Sequence, residues 1–349
     1  IGELPDGTPV ARYCFIHTLY QNVFYDRLLA TQRAQLHQRV GEHIEQVYRE
    51  RIGEMAAKLA MHFERGWDHG RAITYYHQAA ENALRRFASY EAEALARRGL
   101  ELLKTRRHTP ERARQELMLQ MTLAMALMAT RGFGASEVKR TCIRARELCQ
   151  QLGESHALFS ALLGLWRCYH VRAELAAARE LAERLLGLAQ GGDQMLLMEA
   201  HWAVGATLMC LGEFTPALQH LEQGIAPHDL QPQGAYLYGH NPGMTSRCFG
   251  AVAQWSLGHP DQALKETDEA LALAQEVRHP ESLADALYFA AWVHQLRREI
   301  EKALERAEAL IAHAGKHGLV QYVAFGKGVR GWALAMQGQV SEGIQQMRD

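Results

Sequence analysis

The chain has 349 residues, 48% of them hydrophobic, which is enough to bury one large core or two ordinary ones. Lysine and arginine number 38 against 39 acidic residues, so the basic excess by which nucleic-acid-binding proteins neutralise phosphates is missing. No run approaches the ~18 apolar residues of a membrane span, and residues 1–15 lack the apolar core of a signal peptide. We therefore predict a cytoplasmic chain that binds neither nucleic acid nor a membrane.

The first residues of the chain are predicted to be irregular. Residues 1–12 contain two glycines and two prolines, which favour a turn over a helix. We expect an extended segment at 12–15, followed by helices at 18–29 and 33–49. Because the chain opens without methionine and ends two helical turns into a repeat, we expect it to be a segment of a longer protein.

From residue 51 onward the pattern is helical throughout. Apolar residues recur at helical spacing, and no strand pattern intervenes. Prolines stand at helix starts, where a missing N–H costs nothing, and glycines stand at helix ends, where they permit a left-handed cap. The fold class is therefore predicted to be all-α. The predicted helices are 53–65, 69–87, 90–105, 110–129, 135–152, 155–172, 174–190, 194–211, 214–225, 244–257, 260–277, 281–297, 300–315, 319–337 and 340–348.

A repeated pattern organises the C-terminal part of the chain. In the stretch 201–225, an apolar helix breaks at Gly212 and a second helix is anchored by Ala217. A small residue followed by an apolar one recurs at steps of 40 residues, with one step of 46 where a loop intervenes. Since one such hairpin cannot cover its own apolar face, it needs stacked copies of itself. The anchors are Ala177, Ala217, Ala263, Ala303 and Gly343.

The repeat resembles the tetratricopeptide family, with helices longer than the usual version. The break and the small residues match well in the repeats anchored at Ala217 and Ala263, whereas Arg172 and Arg298 replace the glycine of the break elsewhere. The resemblance implies a right-handed superhelical solenoid of helical hairpins with a period of about 40 residues. It also implies that the first helix of each hairpin lines the inner, concave wall.

Two further sets of residues form patterns that do not belong to the 40-residue repeat signature. The first set is Phe15-Ile16-His17-x-Leu19, Tyr25-x-x-Leu28 and Arg33-x-x-Leu36-His37. It resembles the end of the winged-helix module that follows the nucleotide-binding core in large bacterial signalling ATPases of the STAND type, which often carry a class III adenylate or guanylate cyclase. The second set resembles the first repeat and a loop of the same family: His62-Phe63-Glu64-Arg65-Gly66, Arg71-Ala72-Ile73-x-Tyr75-Tyr76, Ala79 to Leu84 and Tyr238 to Gly243.

This second resemblance implies a division of the chain near residue 50. Residues 1–50 would end the winged-helix-like module, and 51–349 would form the repeat solenoid. His17, Arg33 and His37 would then lie near the junction with the ATPase. The chain contains no Gly-x-x-x-x-Gly-Lys-Ser/Thr loop, so ATP hydrolysis is not assigned to it.

Residues 226–243 break the period with three prolines and two tyrosines. A loop of this length in a solenoid is usually functional or mobile. Two interpretations stay open. The segment is either a loop on the protein surface or a lid across the concave groove of the solenoid, and the lid residues would then be Tyr236, Tyr238 and Asn241.

Five of the six tryptophans fall in first helices, at 15, 11 or 8 residues before an anchor. These offsets lie on one face of a helix, so the rings are expected to share one stripe. Such a stripe either lines a binding groove or fills the gaps between neighbouring hairpins, and the sequence leaves both open. If it is a groove, its ligand-binding residues are Phe159, Trp166, Tyr169, Glu199, Trp202, Met209, Trp255, Asp285, Tyr288, Trp292, Phe325 and Trp332.

The sequence offers no catalytic or metal-binding pattern. The eighteen histidines form no His-Glu-x-x-His spacing, and the six cysteines form no Cys-x-x-Cys pair. We therefore predict no cofactor, no metal and no enzymatic activity in this chain. The leading hypothesis is a sensor or scaffold that binds a protein segment or a small-molecule effector and regulates the attached ATPase, which would itself be a partner. The alternative is a self-association module that sets a homo-oligomer.

Overall fold

The computed structural model describes residues 2–3, 9–10, 17–225, 241–277 and 279–348. The extended segment predicted at 12–15 lies outside this set. The chain forms two compact units, Ile1–Ala126 and Leu127–Asp349.

In the first unit a two-residue antiparallel ladder, β1 (Gly2–Glu3) with β2 (Pro9–Val10), stands where a turn is predicted. The helices of this unit are α1 (Thr18–Arg27), α2 (Ala30–Tyr48), a 3₁₀ helix (Arg49–Met55), α3 (Ala56–Arg65), α4 (His69–Arg85), α5 (Ser89–Lys104) and the start of α6 (Pro110–Arg131). Those of the second are α7 (Ser136–Leu152), α8 (Ser155–Val171), α9 (Leu175–Ala189), α10 (Gln194–Cys210), α11 (Phe214–Gln223), α12 (Pro242–Ser256), α13 (Pro260–Val277), α14 (Pro280–Leu296), α15 (Ile300–His317), α16 (Val320–Met336) and α17 (Val340–Arg348).

Every predicted helix is found among the described residues, with ends within three residues of the prediction. The predicted all-α fold class is therefore confirmed. None of these helices is long and apolar enough to cross a bilayer.

In the first unit, α2 packs closely on α3 through a glycine. A Cβ at Gly41 would lie 2.9 Å from the Phe63 ring, so only a glycine permits this approach. The guanidinium of Arg71 lies 4.1 Å from the centre of the same ring and forms ion pairs with Glu42 and Glu45 of α2. These contacts join α2 to the α3–α4 hairpin.

In the second unit, helices pair along the chain and the pairs stack. α8 contacts α9, α10 contacts α11, and the same holds for α12 with α13, α14 with α15 and α16 with α17. The first helices of successive pairs, α8, α10, α12, α14 and α16, also contact one another in order. The second unit is therefore a stack of helical hairpins.

The structure corrects the register of one repeat. The breaks between paired helices carry a left-handed residue at Gly212, Gly258, Arg298 and Gly338, and at Ala173 rather than at Arg172. The step from Ala173 to Gly212 is therefore 39 residues, not 40, and the buried anchor of this hairpin is Ala178 rather than Ala177. The prediction that Arg298 takes the place of a glycine agrees with its φ of 58°.

Replacing Arg298 by glycine is expected to stabilise the second unit by about 1 kcal/mol, because an L side chain at positive φ is strained and glycine is not. Thermal unfolding followed by tryptophan fluorescence measures this effect, since five of the six tryptophans lie in the second unit. Gly258→Ala, which adds a Cβ at a φ of 88°, should shift the unfolding temperature in the opposite direction. Equal shifts in the two variants would contradict this explanation.

Gly205→Ala is expected to destabilise the second unit by about 1–2 kcal/mol, since overpacking outweighs the better helix propensity of alanine. A Cβ at Gly205 would lie 2.6 Å from Leu221 Cγ and 3.0 Å from the Ala217 carbonyl oxygen, where α10 crosses α11. The control is Gly187→Ala in the neighbouring α9, where nothing lies within 4 Å of the new Cβ and helix propensity alone should raise stability. A Gly205→Ala protein as stable as Gly187→Ala would show that this crossing tolerates a methyl group.

Candidate functional site

A cavity of about 220 Å³ lies in the second unit, among the first helices of the hairpins. Its wall is built from α8, α10, α12, α14 and α16, together with Phe133 from the turn before α7. The second helices α9, α11, α13, α15 and α17 contribute no lining residue. The stacking of the repeats therefore brings side chains from five hairpins to one place.

Aromatic rings form one continuous side of this wall. Trp166 of α8 meets Trp202 of α10 edge to face, with ring centres 4.7 Å apart. Trp202 lies 6.3 Å from Phe249 of α12, which in turn lies 4.7 Å from Phe289 of α14. Each ring thus contacts the ring of the next hairpin, so the rings support one another along the wall.

The aromatic wall continues through α14 into α16. Phe289 lies 5.8 Å from Trp292 on its own helix. Tyr288 stacks on Phe325 of α16, with ring centres 4.5 Å apart, and Phe325 contacts Tyr322 at 6.0 Å. Burial raises the pKa of Tyr288 to about 12, so its hydroxyl stays protonated at neutral pH.

A buried arginine closes the wall. The Arg167 side chain of α8 is only 6% exposed and forms an ion pair with Glu281 of α14 at 3.0 Å. Its guanidinium also lies 4.1 Å from the centre of the Phe133 ring and 5.6 Å from that of Trp202. Burial alone would lower the pKa of Arg167, but nearby acidic groups, above all Glu281, raise it above its ordinary value. The arginine is therefore a fixed positive charge in the wall that is paired with the neighbouring Glu281.

Two polar contacts hold α16 against the rest of the cavity. The Tyr322 hydroxyl donates to Asp285 Oδ1 of α14 at 2.7 Å, and burial together with the charge of Asp285 raises the pKa of this tyrosine. The Phe133 backbone N–H donates to Gln321 Oε1 at 2.6 Å. Asp285 is thus a carboxylate in the cavity wall that is oriented by a tyrosine.

His170 of α8 is neutral in this environment. Burial lowers its pKa to about 4, and the charge of Arg167 acts in the same direction. Its Nε2 lies 3.4 Å from both the Ala206 carbonyl oxygen and Cys210 Sγ. At neutral pH this ring adds no charge to the cavity.

The structure brings together seven of the twelve residues predicted for the groove. They share a position in the cavity wall and are Trp166, Trp202, Met209, Asp285, Tyr288, Trp292 and Phe325. The remaining five do not line it: Phe159, Tyr169, Glu199, Trp255 and Trp332.

The corrected register explains two of these misplacements. Counted from Ala178, Phe159 and Tyr169 fall one position away from the inner stripe. Phe159 is only 1% exposed, and the Lys139 ammonium lies over the Tyr169 ring. When residues are counted back from Ala178, Arg167 rather than Trp166 lies 11 residues before the anchor, which is the offset of Trp292 from its anchor Ala303.

The other three residues pack elsewhere. Trp332 lies against a buried cluster that includes Ala291, Ala303 and Val329. It therefore fills a gap between neighbouring hairpins, which is the alternative to a binding groove that the sequence leaves open. Glu199 is completely buried, and Trp255 is partly buried outside the wall. Of the five aligned tryptophans, Trp255 and Trp332 therefore do not line this cavity.

Several wall residues escaped the sequence prediction. Phe249 and Phe289 both stand 14 residues before an anchor, a recurrence that a wider stripe would have included. Arg167 falls on the repeated position only when the register is counted from Ala178. Phe133 and Tyr322 carry no repeated signal, because their rings meet only through packing between segments far apart in the chain.

Of the predicted lid residues, Tyr236 and Tyr238 lie outside the described residues. Asn241 caps α12, where its side chain accepts a hydrogen bond from the Met244 backbone N–H at 3.0 Å. The described part of the loop is therefore a helix cap.

The three residues predicted for the interdomain junction lie in the first unit. The His17 side chain caps α1 by accepting from the Leu19 backbone N–H, and Arg33 lies over the Tyr25 ring. His37 is buried, with its Nε2 2.8 Å from the Tyr25 hydroxyl, and burial lowers its pKa. Their place at a junction stays a prediction.

No family model matches the chain. A curated relative, the uncharacterized protein R02095 of Rhizobium meliloti (strain 1021), is 21% identical over 342 residues, which cover 95% of this chain and 32% of the relative. The chain thus spans about a third of the length of the curated relative it matches.

Two solved structures are similar to the chain in fold. The Rap conjugation gene regulator of plasmid pLS20, in complex with the Phr* peptide, has a TM-score of 0.61 at 10% identity, with 92% of this chain and 94% of that chain covered. A Rap protein complexed with competence and sporulation factor has a TM-score of 0.55 at 13% identity, with 78% and 74% covered. The fold is thus a tetratricopeptide-like array of helical repeats.

Proposed function

We propose that the chain is a non-catalytic sensor region that binds a short peptide segment at the aromatic cavity. The observation that carries this proposal is the cavity itself, in which five hairpins contribute side chains to one wall. Tryptophan and tyrosine provide large, rigid contact area at little cost in conformational entropy, which is why they dominate binding hot spots. The two similar proteins were each solved with a peptide or factor bound, which supports the same class of ligand here.

The size of the cavity favours a peptide side chain over a whole small molecule. Its volume of about 220 Å³ is smaller than the ~300–1,000 Å³ of a site that encloses a drug-sized ligand. One or two side chains of an extended segment would fill it, while the main chain of the segment lies along the first helices. A free small-molecule effector remains the alternative ligand.

The proposed consequence of binding is regulation of an ATPase attached on the N-terminal side, with or without a cyclase. The resemblance of residues 15–37 to the end of a winged-helix module supports this arrangement, as does the greater length of the relative. A ligand can shift such an enzyme only if it binds one conformation of the repeats more tightly than another.

Peptide binding is tested by selecting ligands for the full chain from a randomised pentapeptide library and measuring their affinity by fluorescence anisotropy. Trp292→Leu, in the wall, is expected to weaken binding at least tenfold, as loss of a hot-spot side chain does. Trp255→Leu is the matched control, because Trp255 is also partly buried but lies outside the wall. If no peptide is enriched, or if both variants lose affinity equally, the proposed site is wrong.

Self-association is the second candidate function. On α17, Val340, Ile344 and Met347 occupy one helix face and are 52%, 40% and 48% exposed. Such a stripe would be covered if a second copy of the chain stacked on this hairpin. Light scattering should then show a dimer that Ile344→Glu converts to a monomer, whereas a wild-type monomer at high concentration would exclude this function.

A further inference from the structure

The charged side chains of the cavity wall are balanced by one another. Among the described residues that line the cavity, Arg167 and Asp285 carry the charges at neutral pH, because His170 is then unprotonated. The carboxylate of Asp285 is close enough to Arg167 to stabilise the positive charge of the guanidinium, which is also paired with Glu281 at 3.0 Å. A charged ligand group would therefore lose its water of hydration without finding a counter-charge that is not already engaged.

Polar groups of the wall are also used within the protein. The Thr245 hydroxyl donates to the Asn241 carbonyl oxygen at 2.9 Å, and Gln321 Oε1 accepts from the Phe133 backbone N–H at 2.6 Å. The Asp285 carboxylate accepts from the Tyr322 hydroxyl. Recognition at this cavity therefore rests less on new hydrogen bonds than on the shape and chemistry of its apolar surface.

That apolar surface is aromatic rather than aliphatic. Nine of the seventeen lining residues are phenylalanine, tyrosine or tryptophan, whereas Val171 and Met209 are the lining residues with aliphatic or thioether side chains. Tyr288 and Phe325, which are only partly buried, stack on each other with ring centres 4.5 Å apart. Aromatic rings that meet by offset stacking or edge to face gain more than the area they bury, because the edge of one ring is attracted to the face of the other.

We propose that the cavity selects an uncharged aromatic side chain of the bound peptide: phenylalanine, tyrosine or tryptophan. This inference rests on the proposed function and specifies its chemistry. The ring of the ligand joins the rings of five hairpins in a space of about 220 Å³. An aliphatic side chain of the same shape gains only the burial of its area, and a basic side chain meets the positive charge of Arg167. An acidic side chain meets Asp285 in the same way.

The inference is tested on the full chain with the pentapeptides that it selects. These peptides are expected to share an aromatic residue at one position. Each peptide is then made with phenylalanine, cyclohexylalanine or lysine at that position, and the affinities are measured by fluorescence anisotropy. Cyclohexylalanine keeps the size of the ring but has no aromatic face, so it should bind about fivefold more weakly than phenylalanine. Lysine should bind at least tenfold more weakly.

A pair of variants locates the source of this preference. The double variant Tyr288→Leu, Phe325→Leu removes the stacked pair from the wall and should reduce the preference for phenylalanine over cyclohexylalanine to less than about twofold. The double variant Phe214→Leu, Trp255→Leu is the matched control. Both of its residues lie in the second unit, are partly buried and are outside the wall, so the preference should be unchanged.

Free phenol and cyclohexanol distinguish a peptide side chain from a free aromatic molecule, and calorimetry measures their binding. If phenol binds more tightly than cyclohexanol while no peptide is enriched, the cavity takes a free aromatic compound, and the peptide in both proposals is wrong.

The remaining outcomes separate this inference from the function on which it rests. Selected peptides without a shared aromatic residue would overturn the inference and leave peptide binding in place. Equal affinities for the phenylalanine and cyclohexylalanine peptides would do the same, and this comparison needs only the wild-type protein. A preference that survives the loss of Tyr288 and Phe325 would show that the wall is not its source. If neither peptides nor phenol bind, both the inference and the proposed function fail.

Discussion

Arg167→Met is expected to lower the free energy of unfolding of the second unit by about 3–5 kcal/mol. The substitution keeps a side chain of similar length but removes the positive charge that Glu281 and Asp285 face in the cavity wall. Two buried carboxylates would then lack a counter-charge, and the contacts with Phe133 and Trp202 would weaken. Denaturant unfolding followed by tryptophan fluorescence measures the loss, because the second unit contains five of the six tryptophans.

A second substitution distinguishes charge from packing. Adding Glu281→Gln to Arg167→Met should recover part of the lost stability, because it removes a carboxylate that has become uncompensated. Arg179→Met is the matched control: its ion pairs with Glu183 and Glu213 lie at the surface, so its removal should change stability little. If Arg167→Met is as mild as Arg179→Met, the buried ion pair does not hold α8 to α14.

The fold was predictable because its signals are local. A helix such as α13 begins at Pro260, and the preceding break falls at Gly258, where φ is 88°. Both features depend on neighbouring residues alone. The register error at Ala173 arose where this signal is weak, since alanine adopts the left-handed conformation that glycine marks elsewhere. Backbone hydrogen bonds from the Ala173 N–H to the His170 carbonyl oxygen and from the Glu174 N–H to the Tyr169 carbonyl oxygen accompany that conformation.

The candidate site was predictable only in part, for a related reason. Periodicity places Trp202, Tyr288 and Trp292 on the inner face of their helices, and the structure finds them in the wall. Periodicity alone cannot distinguish Trp292 from Trp332. Trp332 has the same offset from its anchor, but it packs against a buried cluster of alanines and Val329. The partnership of Arg167 with Glu281 joins residues 114 positions apart, and no repeat spacing encodes it.

His170 is expected to make the second unit sensitive to acid. Burial lowers its pKa from 6.5 to about 4, so the folded state binds fewer protons than the unfolded chain between these two values. Its contribution to stability is therefore complete above pH ~6.5 and is lost as the pH falls, at ~1.4 kcal/mol per unit and ~3 kcal/mol in all by pH 4. Protonation would also place a second positive charge beside Arg167.

His170→Gln should remove this dependence, since glutamine can contact the Ala206 carbonyl oxygen without titrating in this range. At pH 7 the variant is expected to be somewhat less stable than the wild type, because it loses the ring contact with Trp166. Between pH 6.5 and 4.5 its unfolding free energy should fall less steeply, so that the two stability profiles converge or cross. Parallel profiles over this range would show that His170 takes up its proton equally in the folded and unfolded states. Burial of the side chain would then not disfavour the protonated ring.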